Sequence, residues 1–203
     1  MSLDRKLLGR AGGSQAHGAF RRFVVVGTAG SGKTTLANKL GLCLEIPHVE
    51  LDSLFWDLDW VPVPRDLFRE RVAQALGGYE WTTDGNYSAA RDIIWTRADT
   101  LVWLDYSLSR VMARLIWRTI RRIVTREELW NGNRESFTGA FLSRDSIILF
   151  ALRTYRRRRR EVPEDLSRPE YEHLNVVHLR SPSAARQWLE TCRTDGGPGG
   201  TLD

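Results

Sequence analysis

A chain of 203 residues, 42% of them apolar, is long enough for one domain with a buried core, or one domain carrying a small inserted lid. Its longest apolar run, Ile147–Leu152, is far short of the ~20 residues of a membrane-spanning helix, and Cys43 and Cys192 form no CxxC pair, so the composition predicts a soluble, cytoplasmic protein with free thiols. The net charge of +5 is unevenly spread: Arg110 to Arg160 holds fourteen Arg against Glu127, Glu128, Glu135 and Asp145, which implies a localised partner bearing several negative charges.

Residues 1–19 are rich in Gly and Ser without a sustained period and read as a flexible tail; 194–203 read as a second one. Between them, a domain over 20–193 alternates short apolar runs with helical patterns. Phe23–Val26 predicts a buried strand and Lys33–Cys43 a helix. His48–Leu51 predicts a second strand and Arg65–Leu76 a helix. Glu80–Thr83 is a third strand, Ser88–Thr96 a short helix and Thr100–Asp105 a fourth strand. Leu108–Thr125 and Ile147–Arg160 are basic helices, Asn175–Leu179 a fifth strand and Ser183–Cys192 a closing helix. This alternation predicts an α/β fold with a mostly parallel sheet and helices on both faces.

The strongest motif is Gly27-Thr28-Ala29-Gly30-Ser31-Gly32-Lys33-Thr34-Thr35, a G-x-x-x-x-G-K-[ST] pattern between a strand and a helix. The glycines let successive backbone N–H groups turn around a phosphate, and the helix N-terminus adds partial positive charge. Lys33 is expected on the β- and γ-phosphates of ATP and the Thr34 hydroxyl on Mg²⁺, with Gly27, Gly30, Ser31, Gly32 and Thr35 completing the nucleotide site.

In parallel sheets, ligands bind beyond the carboxyl ends of the strands. Asp52 and Asp84 stand there. They are the candidates for holding the metal with Thr34 and for orienting the acceptor or taking its proton. Helix capping for Asp52 and a tight Asp84-Gly85-Asn86 turn are the competing structural readings. Asp105 is expected to cap the helix beginning near Ser107.

Arg114, Arg118, Arg121 and Arg122 fall on one helical face. Asn131-Gly132-Asn133 is a turn signal, and Arg153, Arg156, Arg157 and Arg160 recur on the next helix. Two basic helices joined by a turn predict a hinged lid, about 118–150, that brings guanidinium groups to the transferring phosphoryl group. Alternatively, the same patch tracks a nucleic-acid backbone, with Trp117, Trp130 and Tyr155 available for stacking.

Taken with Leu51–Trp56, Trp81–Tyr87, Arg97–Tyr106, Leu129–Glu135 and Tyr155–Arg160, the loop resembles the bacterial topology-modulation-protein family, described as adenylate-kinase-like, over most of 22–190. The resemblance implies a P-loop NTPase three-layer sandwich with a five-stranded parallel sheet ordered 2-3-1-4-5 and an Arg-rich helical lid. It also implies an ATP-dependent phosphotransferase acting on a nucleotide or small molecule. Lys33, Asp52, Asp84, Arg118, Arg122 and Arg134 are the catalytic candidates, and Phe55, Trp56, Tyr87 and Arg91 the acceptor-binding ones, with Trp60 and Arg65 nearby. Asp84-Gly85 is similar to the opening of the adenylate kinase DGFPR motif, but Asn86-Tyr87 replaces Phe-Pro and the next arginine is Arg91.

Overall fold

The computed structural model describes residues 20–133 and 146–194. Both expected tails and Arg134 lie outside the described residues, apart from Thr194, which ends the last helix. Five parallel strands, β1 (Arg22–Gly27), β2 (His48–Glu50), β3 (Trp81–Asp84), β4 (Thr100–Leu104) and β5 (Asn175–Leu179), form one sheet in the order β2-β3-β1-β4-β5. Among the described residues, seven α-helices accompany them: α1 (Lys33–Leu44), α2 (Leu51–Phe55), α3 (Arg65–Ala75), α4 (Arg91–Arg97), α5 (Leu108–Thr125), α6 (Ile147–Leu166) and α7 (Pro182–Thr194).

The central strands read as unbroken apolar runs because both faces of the sheet are covered. Along β1, Val24 and Val26 enter the core beneath α3, α4 and α6, whereas Phe23 and Val25 face α1 and α7. β4 repeats the division, with Leu101 and Trp103 on the first side and Val102 and Leu104 on the second. A period of two therefore sends alternate residues into two separate cores and produces three layers.

Three boundaries differ from the sequence reading in informative ways. The second strand ends at Glu50, and the fully buried Leu51 already begins α2. Asp84 is the last residue of β3 rather than the first of a loop, in register with Val25 of β1 and Glu50 of β2. Helix α6 continues past Arg160 to Leu166 despite Pro163, because Val162 and Asp165 are buried by tertiary contacts that outweigh local propensity.

Strands β3, β1 and β4 are adjacent, and the chain leaves β1 for β2 at one edge of the sheet and β4 for β5 at the other. Their carboxyl ends therefore open the crevice where the glycine loop, Asp84 and the first turn of α1 meet.

Candidate active site

The loop after β1 is shaped by residues with no side chain to spare. Gly30 has φ +84°, and a Cβ there would come within 2.8 Å of Leu115 Cβ and of the Val111 carbonyl, so α5 packs directly on the loop. Gly32 has φ +92°, and its Cβ would meet the Arg114 guanidinium at 2.6 Å. As N-cap of α1, Gly32 offers no side-chain oxygen to the helix's first N–H groups. Those donors remain for an anion, with the helix dipole behind them. Ser31 is buried, and its Oγ has no hydrogen-bond partner among the described residues; Thr35 faces outward.

Asn86 splints this loop from across the crevice. Its side-chain Nδ2 donates to the Gly27 carbonyl at 2.6 Å, and its Oδ1 accepts from the Gly27 N–H at 3.1 Å. Its place in the sequence marks it as a turn former, and the structure shows its amide to be part of the loop. Asn86→Ala removes both bonds, each worth about 1 kcal/mol. Nucleotide affinity is expected to fall about tenfold or more with a small loss of melting temperature, as measured by nucleotide titration. Unchanged affinity in a folded variant would contradict this role.

Lys33 Nζ donates to the Thr28 carbonyl at 3.4 Å. Burial pushes its pKa below the ordinary lysine value, opposed by the Asp84 and Asp52 carboxylates and reinforced by Arg158 and Arg118. These five groups thus share one electrostatic neighbourhood at the strand ends. Thr34 donates its hydroxyl to Asp84 Oδ2 at 2.6 Å, and His48 Nε2 lies 3.1 Å from Asp84 Oδ1. Neither Asp84 nor Asp52 acts as a helix cap: Glu50 holds the N-cap position of α2, and Asp52 lies in its first turn. Asp52 accepts a hydrogen bond from the Tyr87 hydroxyl. Desolvation raises the Asp52 pKa, while the Tyr87 bond and the Lys33 charge pull the other way.

The donor set suits magnesium. Thr34 and Asp84 offer hard oxygens side by side, and no group of three or more His, Cys, Asp or Glu among the described residues could hold a metal alone. Magnesium is commonly bound by one or two carboxylates together with substrate phosphates.

The arginines divide differently from the sequence expectation. Arg118 is half-buried near Lys33, and Arg122 is bridged to Glu127 at 3.4 Å. On α6, Arg153, Arg156, Arg157 and Arg160 point to solvent, and Arg157 pairs with Glu161. The arginine that turns inward is Arg158, which donates to the Asn86 carbonyl at 3.3 Å. Its neighbours in helical phase, Ala151, Thr154, Tyr155 and Val162, form the buried face of α6, and that apolar phase was the available signal. Asp105 is not a cap either. It is buried, bonded to His178 Nε2 at 3.1 Å and to Arg159 Nε at 2.7 Å, while His178 stacks on Trp103 at 4.1 Å. Together these contacts tie α6 to the ends of β4 and β5.

An aromatic wall stands beside Asp52. Phe55 meets Trp56, Phe68 and Tyr87 at centroid distances of 4.8, 5.2 and 4.7 Å, and Trp56, Trp60 and Trp130 continue edge to face. The Asn131-Gly132-Asn133 turn is present, with Asn131 and Gly132 at positive φ. It is anchored on this wall: Trp130 Nε1 donates to Glu50, Asn131 to the Trp56 carbonyl and Asn133 to the Asp57 carbonyl. Arg91, expected near the acceptor, pairs with the buried Asp165 and lies over Trp95. Arg65 is exposed at the start of α3.

No family model matches the chain and no curated protein matches it, so the likeness to topology-modulation proteins rests on the sequence motifs alone. Solved structures are similar to it in fold. A shikimate kinase from Bacteroides thetaiotaomicron superposes with a TM-score of 0.52 at 15% identity, over 86% of this chain and 97% of that one. A gluconokinase from Sinorhizobium meliloti 1021 reaches 0.47 at 17% identity, over 86% and 94%. A shikimate kinase from Aquifex aeolicus reaches 0.48 at 14%, over 88% and 99%. The sheet order and the first of these superpositions show the P-loop kinase α/β fold.

Proposed function

We propose that this protein is an ATP-dependent phosphotransferase acting on a small-molecule acceptor. The observation that carries the reading is the convergence of Lys33, Thr34 bonded to Asp84, and Asp52 at the mouth of an uncapped helix N-terminus. In this reading the loop amides and Lys33 hold the β/γ-phosphates, and Thr34 with Asp84 holds magnesium. Asp52 faces the acceptor hydroxyl and takes its proton. Arg118 and Arg158, both close enough to lower the Lys33 pKa, offset charge on the transferring phosphoryl group, and Arg122 and Arg134 belong to the lid. Phe55, Trp56 and Tyr87 line the acceptor side.

A coupled ADP-release screen against nucleosides, nucleoside monophosphates, sugars and hydroxy acids tests this. Saturable release with one acceptor, lost in Lys33→Ala, is expected. The competing nucleic-acid reading draws on the outward ridge of Arg153, Arg156, Arg157 and Arg160 and on Trp117, which is 71% exposed. Steeply salt-dependent duplex binding, with no acceptor turned over, would favour it instead.

A further inference from the structure

We infer that His48 is a positioning residue for magnesium-ATP: its Nε2–H holds one oxygen of Asp84 and so presents the other to Thr34 and to a cation bound beside it. This rests on the kinase reading above. An aspartate does not orient its own carboxylate, because its last side-chain torsion is broad and roughly two-fold. Partners on its two oxygens must set it. Asp84 has both: the Thr34 hydroxyl donates to Oδ2 at 2.6 Å, and His48 Nε2 stands 3.1 Å from Oδ1. A carboxylate only accepts, so Nε2 carries a hydrogen and donates it. The His48 and Asp84 side chains are 11% and 5% exposed, so little water competes for that oxygen.

The pairing follows from the register of the sheet. Thr82 lies opposite His48, and Asp84 lies opposite Glu50, where β2 runs beside β3. Thr82 and Asp84 are two residues apart and share one face of β3, so His48 reaches Asp84 along the diagonal. Helix α1 lies on that same face. Thr34 meets Asp84, and the Ala37 carbonyl accepts from Thr82 Oγ1 at 3.1 Å. One turn further, a Cβ at Gly41 would come within 2.9 Å of the Ile46 carbonyl and 3.5 Å of His48 Cβ. Residues 34, 37 and 41 form one helical stripe, so the close approach at Gly41 seats α1 on His48 while its first turn carries Thr34 to Asp84. His48 thus acts on the metal site through the carboxylate, as partners of metal-ligating carboxylates do elsewhere.

Calorimetric titration of ATP, with magnesium and again with excess chelator, separates this role from a purely structural one. In His48→Ala the affinity with magnesium is expected to fall about 10–100-fold, the range for removing a partner of a metal ligand. Affinity in chelator, carried by the loop amides and Lys33, should stay at the parent's value. His48→Gln, whose amide can donate to the same oxygen, should recover most of the loss. His48→Met has similar bulk and no donor, should not recover it, and carries the comparison if the alanine variant does not fold. Undiminished magnesium-supported binding in a folded alanine or methionine variant would overturn the inference and leave the kinase reading standing. Equal losses with and without magnesium, or a glutamine variant no better than methionine, would do the same by marking His48 as a packing contact. A parent protein that binds ATP equally well with magnesium and with chelator would remove the metal site from the kinase reading, and this inference with it.

Discussion

Lys33→Ala is expected to reduce phosphoryl transfer by ~10³-fold or more, the scale seen when one cation is withdrawn from a transferring phosphoryl group. The fold should survive. In the free protein Lys33 contributes one bond of 3.4 Å to the Thr28 carbonyl, and its charge is disfavoured by burial. Its folded pKa lies below the ordinary value, so the folded state binds this proton less tightly than the unfolded chain. Stability therefore rises with pH between the lowered pKa and the ordinary one, and below the lowered pKa the poorly solvated ammonium is a burden. The melting temperature of Lys33→Ala at pH 7 should equal or exceed that of the parent. The same lowering sets a ligand signature: nucleotide affinity should decline with alkalinity from a pH below the ordinary lysine pKa, because the neutral amine no longer attracts phosphate. A folded Lys33→Ala protein with undiminished turnover would refute the assignment.

Asp52→Asn is expected to lower kcat about 10²–10⁴-fold, the contribution typical of a positioned general base. Its effect on stability should have the opposite sign. Desolvation raises the folded-state pKa of Asp52, so its protonated form is favoured by folding and its ionised form opposed. That stabilisation is present at low pH and is lost as pH rises through the raised pKa, above which the carboxylate is charged and poorly solvated. Asparagine has no such charge, and its carbonyl oxygen can still accept from the Tyr87 hydroxyl. The variant should therefore melt higher than the parent above the raised Asp52 pKa and show no advantage in acid. In the parent, activity should be lost on acidification at a pH above the usual carboxylate range. Full activity in Asp52→Asn would remove it from the mechanism, and a melting temperature below the parent's at alkaline pH would show that its charge helps hold the fold.

The parts of this molecule that were legible in the sequence are those encoded locally. The glycine-lysine-threonine loop announces itself by spacing. β5 and α5 fall where their apolar periods place them, and the two-sided burial of β1 and β4 is visible as unbroken apolar runs. What sequence concealed depends on partners distant in the chain. Asn86 looks like a turn residue until its amide is seen on Gly27, 59 positions away. His48 joins Asp84 only because β2 and β3 are neighbours in register. Asp105 had the right position for a cap, and its partners, Arg159 and His178, come from α6 and β5. The arginine run of α6 is uniform in chemistry, and only packing distinguishes Arg158, which turns inward, from Arg156, Arg157 and Arg160, which do not.

Phosphotransfer by this protein requires the front of α1, with Lys33 beside it, to be a polyphosphate cage. Isothermal calorimetry of ATP into the protein, with magnesium and again with excess chelator, tests this directly. The expected result is saturable one-site binding that weakens when magnesium is removed and disappears in folded Lys33→Ala. No heat from the parent protein with magnesium and any nucleoside triphosphate, or identical binding by Lys33→Ala, would contradict it.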